Sequence, residues 1–257
     1  MLTSAQAQKI EEVLKKTLRA KLANYRPETS NMPFHTRLLG KDRLALYSFI
    51  HSLNTVFGSA IFEPVACALA EPRFRRVQTQ ATAGAWISSE AQLAIQEIMD
   101  GLATGRCEPN LEQEIERLRL VAQKGARVRV KLVKIDVLAE THSNKLYLFD
   151  LKTVKPNLSS FKDYKRTLLE WTATFLAGDP ELKITAAIAM PYNPYEPKPY
   201  ERWTLKGMLD LKHQLRVGKE FWDFLGGEGA YEEVLNLFEK VGIELRPEID
   251  SGFKRFA

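Results

Sequence analysis

Two apolar segments joined by a short polar break constrain the fold of this chain more than any other feature. The first covers residues 134–138 and the second residues 145–152, and both have the composition of buried β-strands. The residues between them include Thr-His-Ser-Asn at 141–144, which is typical of a turn. The sequence therefore predicts a β-hairpin in the interior of the protein.

Three charged side chains interrupt these apolar strands. Asp136 lies in the first strand, and Asp150 and Lys152 lie in the second. Burying an unpaired charge costs roughly several kcal/mol, so these groups must pair with one another or bind a metal ion. Asp150 and Lys152 are two residues apart and therefore share one face of their strand. We expect Asp136, on the neighbouring strand, to approach them at one edge of the sheet.

This set of side chains favours metal-dependent chemistry on phosphate esters. Carboxylate oxygens suit Mg²⁺ or Mn²⁺ better than zinc, and Cys67 and Cys107 lie far apart in no metal-binding spacing. A lysine beside a bound metal can position or deprotonate a water molecule, or neutralise charge on a phosphate. Two aspartates and a lysine around a divalent metal suit phosphodiester hydrolysis. The alternative is a purely structural salt-bridge network within the sheet.

The bulk properties of the chain permit such a function without requiring it. The chain has 257 residues, of which 45% are hydrophobic and 27% charged, as is typical of a globular protein. Its net charge of +5 is compatible with a nucleic-acid partner. Free thiols, an N-terminus rich in Gln, Glu and Lys, and the expectation that no apolar run approaches about 18 residues together favour a cytoplasmic location.

Hydrophobic periodicity and capping residues predict helices on both sides of the hairpin. The predicted helices cover 4–24, 42–57, 59–70, 88–99 (closed by Gly101), 110–123, 160–176, 204–225 and 230–241, and the predicted strands cover 127–140, 145–152 and 184–190. Residues 25–40 have the composition of a loop. Because no repeat or linker interrupts the chain, we expect one domain over 1–257. It would comprise an N-terminal helical part (about 1–125), a catalytic core (about 126–192) and C-terminal helices (about 200–257).

The hairpin also carries a family resemblance. Ile135–Asp136 followed by Asp150–Leu151–Lys152 resembles the PD-(D/E)xK nuclease signature, with Ile135 in place of proline and Asp150 in place of the commoner glutamate. Both substitutions occur within that superfamily. The resemblance implies an α/β (α+β) fold with a restriction-endonuclease-like core. A central mixed β-sheet would be flanked by helices, with extra helices at the N- and C-termini.

A second resemblance covers most of the chain. The stretches at 33–43 (PFHTRLLGKDR), 62–64 (FEP) and 218–227 (GKEFWDFLGG) look like a TdeIII-like family of type II restriction endonucleases. Such enzymes are Mg²⁺-dependent, cut double-stranded DNA at short palindromic sites to give 5′-phosphate and 3′-hydroxyl ends, and work with a cognate DNA methyltransferase. The resemblance implies a homodimer and hints at a GG-N-CC-like target.

The resemblance assigns a role to each residue of the site. Asp136 and Asp150 would hold Mg²⁺ with the Leu151 carbonyl, and Lys152 would align or activate the attacking water. In many restriction enzymes of the superfamily an early helix contributes a glutamate, and Glu63 is the matching residue here. The alternative for Glu63 is to cap a helix or to pair with an arginine in the core.

Several cations and amides near the hairpin are candidate DNA contacts. They are Lys155, Asn157, Lys162, Lys165, Arg166, Arg127, Arg129 and Asn193. The alternative for the cations is a solvated helix or strand face. Two other functions are compatible with the same sequence, namely a repair or recombination nuclease of the superfamily and a catalytically silent DNA-binding protein on the same fold.

Overall fold

A computed structural model describes residues 1–26, 32–131, 134–152, 161–200 and 207–254. The chain divides into two compact units. The first unit comprises Met1–Leu69 together with Gly226–Ala257, and the second comprises Ala70–Leu225. The organisation of the chain as one domain stays a prediction.

The first unit is helical. Its elements are α1 (Ser4–Asn24), α2 (Pro33–Leu39), α3 (Lys41–Val56), a π-helical turn (Phe57–Phe62), α4 (Glu63–Ala70, whose last residue falls in the second unit) and α9 (Ala230–Lys254). The predicted first helix is confirmed, and its N-terminus carries a capping box. Thr3 Oγ1 accepts from the Gln6 backbone N–H at 3.2 Å while Gln6 Oε1 accepts from the Thr3 N–H at 2.9 Å.

Helices α1 and α9 pack against each other and exchange ion pairs. The cations of this face each meet a carboxylate: Lys15 lies 2.6 Å from Glu244, Arg19 lies 2.7 Å from Glu248, and Lys240 lies 2.5 Å from Glu11. The buried Phe49 ring of α3 makes edge-on contacts with Tyr25 and Phe253, each with ring centroids 5.1 Å apart. Aromatic and aliphatic packing therefore holds this unit together, and surface ion pairs orient α1 against α9.

The stretch from Lys41 to Ala70 is helical throughout. The sequence predicted helices over 42–57 and 59–70, but it did not predict the π-helical turn that joins them. Gly58 lies in the π-helical turn, and Pro64 follows that turn inside the continuous helix. Pro64 has no N–H to donate, and the carbonyl of Ala60, four residues earlier, accepts from the Thr17 hydroxyl at 3.2 Å. In the part of the chain that the structure describes, this helix is the one stretch long and apolar enough to cross a membrane. That corrects the expectation of no such run. About two fifths of its most apolar window is buried (39%), and core helices of soluble proteins meet the same criterion.

The second unit is built on a five-stranded mixed sheet, which confirms the central mixed sheet that the family resemblance implied; the number of strands was not predicted. Its strands are β1 (Arg76–Ala81), β4 (Ile135–Glu140), β5 (Lys145–Leu151), β6 (Lys183–Met190) and β7 (Leu215–Val217), in that spatial order. β4 is antiparallel to β1 and β5, whereas β6 is parallel to β5 and β7. A parallel pair needs a crossover connection, and α7 (Phe161–Gly178) lies in the connection between β5 and β6.

Helices cover one face of this sheet. They are α5 (Ser89–Ala103), α6 (Leu111–Val121) and α7, and the core between them and the sheet is built around Trp171, Leu168, Leu148 and Ile188. On the other side, Phe149 and Tyr147 of β5 meet Phe221 and Phe224 of α8 (Lys219–Gly226) through edge-on ring contacts. β5 therefore has packed side chains on both faces, as its apolar sequence predicted.

Sheet pairing overrides several predictions that were based on periodicity. The predicted strand 127–140 is two strands, because β3 (Arg127–Arg129) leaves the main sheet and pairs with β2 (Trp86–Ser88). The predicted helix 204–225 is also wrong within the described residues. Residues 207–214 form turns, Leu215–Val217 adds to the sheet beside β6, and the helix begins only at Lys219.

Two loop and cap predictions are corrected as well. Part of the predicted loop 25–40 forms α2, which begins at Pro33, a residue whose fixed φ suits the first helical position. Gly101 does not close its helix, because α5 continues to Ala103. A Cβ at this position would lie 2.7 Å from the sulfur of the exposed Cys107, so a larger residue would require that side chain to move.

Lys165, which the sequence placed among the candidate DNA contacts, is fully buried and is corrected here. Its Nζ donates to Glu114 Oε2 at 2.5 Å and to Gln214 Oε1 at 2.7 Å. Burial lowers the pKa of the Lys165 ammonium and raises the pKa of the Glu114 carboxyl, and their mutual attraction opposes both shifts. Lys165 therefore ties α7 to α6 and is not available to a phosphate.

Removing one member of this buried pair should destabilise the protein strongly. In Lys165→Met the Glu114 carboxylate stays buried without its counter-ion, and we expect a loss of about 3–5 kcal/mol in the free energy of unfolding. Lys165→Met combined with Glu114→Leu should recover most of that loss because no charge is then buried. Urea unfolding measures both variants. Exposed ion pairs contribute up to about 1 kcal/mol. If the free energy of unfolding of Lys165→Met lies within about 1 kcal/mol of the wild-type value, the structural role is contradicted.

Candidate active site

The hairpin of β4 and β5 places the predicted residues together. Its turn is closed by the Thr141 N–H, which donates to the Lys145 carbonyl at 2.9 Å, and Asn144 adopts the left-handed conformation (φ 60°) that asparagine tolerates. Val137 pairs with Phe149, so one further step along the ladder sets Asp136 opposite Asp150. Strand pairing thus brings two residues that are 14 positions apart in sequence to the same edge of the hairpin.

Asp150 is the most buried member of the site. It is 3% exposed, and its Oδ1 accepts from Lys152 Nζ at 2.5 Å. Lys152 follows the end of β5, and its backbone N–H still donates to the Ala189 carbonyl of β6 at 2.9 Å. The lysine side chain keeps a quarter of its surface exposed (25%). The pair therefore combines a buried carboxylate with an ammonium that solvent reaches.

Asp136 completes the pair of carboxylates. Its Oδ2 accepts from the Leu151 backbone N–H at 2.7 Å. Burial raises the pKa of Asp150 to about 6, the nearby Asp136 carboxylate adds to that rise, and Lys152 opposes it. The Asp136 carboxylate disfavours the ionised form of Asp150, so a bound cation would relieve the repulsion at this position.

Two side chains that the sequence analysis did not single out also contact the site. The Lys152 ammonium lies 4.8 Å from the centroid of the Tyr164 ring of α7, which is cation–π geometry. Gln80, at the end of β1, points its Nε2 at Asp136 Oδ1 over 3.4 Å, a long contact. Both contacts join elements that are distant in sequence, so no local sequence pattern predicts them.

The donor set fits a hard divalent cation. Asp136 and Asp150 supply carboxylate oxygens, and Leu151, directly after Asp150 in the chain, supplies a backbone carbonyl. No group of three His, Cys, Asp or Glu side chains that could hold a metal occurs within the described ranges. Mg²⁺ suits such a site because it commonly binds through one or two carboxylates and keeps several of its water ligands.

Glu63 belongs to the other unit. It is the first residue of α4, directly after the π-helical turn, and is 3% exposed. π-Helical turns occur frequently at functional sites. The role of Glu63 beside the two aspartates stays a prediction.

The structure gives the other candidate DNA contacts different surroundings. Lys162 of α7 is exposed, and Arg127 and Arg129 are exposed on β3. Arg166 donates to Gln96 Oε1 at 2.7 Å. The Asn193 amide is largely used within its own loop, where it donates to the Lys198 carbonyl at 2.7 Å and accepts from the Tyr195 N–H at 3.0 Å. Lys155 and Asn157 lie outside the described residues.

The raised pKa of Asp150 predicts a pH-dependent stability in protein stripped of divalent metal. The folded state binds the Asp150 proton more tightly than the unfolded state, so this contribution is complete below about pH 3.8 and is lost as the pH rises through about 6. Asp150→Asn mimics the protonated group. At pH 7 its free energy of unfolding should exceed that of wild type by on the order of 1–2 kcal/mol.

Urea unfolding in EDTA at pH 4 and pH 7 tests this. The difference between Asp150→Asn and wild type should shrink towards pH 4. A difference that is independent of pH would contradict it. Asp179→Asn, at an exposed turn position, is the matched control.

Comparisons with known proteins agree with the geometry. Residues 2–242 match the family described as "Type II restriction endonuclease, HinfI". The chain is 27% identical to the type II restriction enzyme MjaII of Methanocaldococcus jannaschii over 237 residues, which cover 82% of this chain and 62% of the relative. It is also 27% identical to the type II restriction enzyme HgiCII of Herpetosiphon aurantiacus over 225 residues, covering 84% of this chain and 80% of the relative.

The extent of these matches differs between relatives. A third relative, the type II restriction enzyme HgiEI of Herpetosiphon aurantiacus, is 25% identical over 222 residues and is covered to 79% of its length. The chain therefore spans less than two thirds of MjaII and about four fifths of the Herpetosiphon enzymes. Because the family match extends over nearly the whole sequence, from residue 2 to residue 242, this chain belongs to the HinfI family of type II restriction endonucleases.

Proposed function

We propose that the chain is a Mg²⁺-dependent, site-specific endonuclease that hydrolyses phosphodiester bonds in double-stranded DNA. The observation that carries this proposal is the convergence of Asp136, Asp150 and Lys152 at one end of the β4–β5 hairpin. Together with the order of the surrounding elements, it supports a PD-(D/E)xK type of site. The closer likeness to TdeIII-like enzymes stays a prediction.

The metal, when bound, would polarise the scissile phosphate and lower the pKa of a coordinated water. Asp136 and Asp150 would hold it, with the Leu151 carbonyl as a further oxygen ligand, and Mn²⁺ would substitute for Mg²⁺. The hydrogen bond from the Leu151 N–H to Asp136 Oδ2 restricts the Asp136 carboxylate, which supports this role. Burial of Asp150 keeps its oxygens from being fully hydrated and so favours a cation as their partner.

Lys152 supplies the second half of the chemistry. Its ammonium is anchored by Asp150 and by the Tyr164 ring, yet remains partly exposed. From that position it can align the attacking water and neutralise charge that develops on the phosphate. In-line attack on phosphorus would displace the 3′ oxygen and leave 5′-phosphate and 3′-hydroxyl ends.

The assembly follows from the same proposal. Three relatives carry the name type II restriction enzyme. A palindromic site has a two-fold axis, so a homodimer with one hairpin per strand would match it. A cognate DNA methyltransferase would protect the host's own copies of the site. Glu63 is proposed as an additional contact to the metal or to its water.

Loss of either charge of the central pair should abolish cleavage without abolishing DNA binding. Asp150→Ala removes a metal ligand and Lys152→Ala removes the group that positions the water, so each should reduce the cleavage rate by at least about 100-fold. Digestion of a sequenced phage DNA with Mg²⁺, followed by end mapping, measures activity, specificity and end chemistry together.

Lys145→Ala is the matched control, because Lys145 lies on the same strand at the opposite end and stacks on Tyr147. It should cut at the wild-type rate. If Asp150→Ala or Lys152→Ala also cuts at that rate, the assignment of the site is wrong. A wild-type protein that binds DNA and never cuts it would instead identify a silent binding protein.

The ring of Tyr164 should act on the rate through the position of Lys152. Tyr164→Phe keeps an aromatic face under the ammonium and should cut at nearly the wild-type rate. Tyr164→Leu removes it and should lower kcat by about 5- to 30-fold, the equivalent of roughly 1–2 kcal/mol, with little change in KM. Equal losses in both variants would indicate a role for the Tyr164 hydroxyl instead, and no loss in either would show that the ring is dispensable.

A further inference from the structure

The helical unit contains a cleft whose lining is polar and cationic. It has a volume of about 850 Å³ and lies between α1 and α3, with every lining residue inside Met1–Leu69. Helices in a bundle ordinarily face each other with apolar stripes. Here one stripe of α1 at 13, 16–17, 20–21 and 24 and one stripe of α3 at 48, 51–52 and 55–56 line an open groove instead.

The charges of the cleft have one sign. Lys16 and Lys21 of α1 and Arg26 just beyond it line the groove, and no Asp or Glu does so among the described residues. The contrast with the opposite face of α1 is informative. There Lys15 and Arg19 are paired with Glu244 and Glu248 of α9, whereas the described residues give none of the three cleft cations an acidic partner.

Neutral hydrogen-bonding groups surround these cations. Ser48, Ser52 and Thr55 of α3 present hydroxyls to the groove, and Asn24 adds an amide from α1. The Tyr25 hydroxyl is fixed at 2.5 Å from Ser48 Oγ. Lysine and arginine together with Ser, Thr, Asn and Tyr are the side chains that make most protein contacts to nucleic-acid phosphates. The groove follows α1 from residue 13 to residue 24, a rise of roughly 16 Å, which is long enough for several successive phosphates of one strand.

We propose that this α1–α3 cleft binds the phosphodiester backbone of double-stranded DNA through Lys16, Lys21 and Arg26. The proposal rests on the proposed function, which supplies DNA as the ligand, and it adds a contact surface separate from the hairpin and from the cations considered on the sequence. A backbone contact of this kind positions the protein on the duplex and contributes affinity without reading bases.

Salt-dependent DNA binding tests the proposal directly. The probe is a fluorescent duplex, titrated with full-length protein in EDTA so that no cleavage occurs. The variant is Lys16→Gln/Lys21→Gln/Arg26→Gln. Each phosphate contact contributes about 0.9 to the slope of log Kd against log salt concentration. The triple variant should therefore lose about 2–3 units of slope and bind more weakly at low salt.

A matched variant controls for net charge. Lys41→Gln/Arg246→Gln/Lys254→Gln removes the same charge from exposed positions of the helical unit outside the cleft and should keep the wild-type slope. Equal slopes for the two triple variants would overturn the proposal. The test distinguishes the cleft proposal from the proposed function. If the wild-type protein cleaves DNA and the cleft variant keeps the wild-type salt slope, only the cleft proposal is wrong. A wild-type protein that does not bind DNA defeats both.

A second measurement needs no variant. Acylation of lysines in wild-type protein, read by mass spectrometry, should show that duplex protects Lys16 and Lys21 but leaves Lys41 and Lys254 reactive. Inorganic phosphate provides the other arm. If phosphate protects Lys16 and Lys21 and duplex does not, the cleft takes a free anion and the proposal is wrong.

Discussion

The burial of Asp150 is the constraint on which the rest of the candidate site depends. A carboxylate in a strand that packs on both faces is costly unless other groups compensate it. β4 provides Asp136 at one side, β6 anchors the backbone of Lys152 at the other, and Lys152 folds back to give the counter-charge. The apolar residues of β5 fix the strand rigidly, so the same packing that makes the charge expensive also holds it in one position.

Two buried carboxylates in the second unit are paired with lysine, and their surroundings differ in one respect. The Glu114–Lys165 pair is closed, since the lysine is fully buried and also bonded to Gln214. The Asp150–Lys152 pair is open on the lysine side. A closed pair can only join elements, here α6 to α7, whereas an open pair can also meet a ligand. The two pairs are therefore distinguished by the exposure of the lysine, which is compatible with a chemical role for Asp150–Lys152 and with a structural role for Glu114–Lys165.

The family resemblance implied the central mixed sheet. The sequence alone supported the grouping of the hairpin charges, because strand alternation determines which side chains share a face. It could not reveal β1, whose Arg-Val-Gln-Thr-Gln-Ala sequence is polar and becomes a strand only by pairing with β4. The burial of Lys165 could not be predicted either, because lysine side chains are usually exposed and only the tertiary packing buries this one. Tyr164 and Gln80 reach the hairpin across the fold, so neither could be inferred from spacing.

The π-helical turn at Phe57–Phe62 bears on how this chain tolerates changes in length. A π-helical turn contains one residue more than an α-helical turn, and the flanking helices accommodate that residue as a bulge. Deleting Gly58 or Ser59 would tighten the bulge into regular α-helix, while the same deletion inside α3 would rotate every later side chain by about 100°. The turn is therefore the place in the helix before Glu63 where a residue can be lost with the least change in the direction that Glu63 faces.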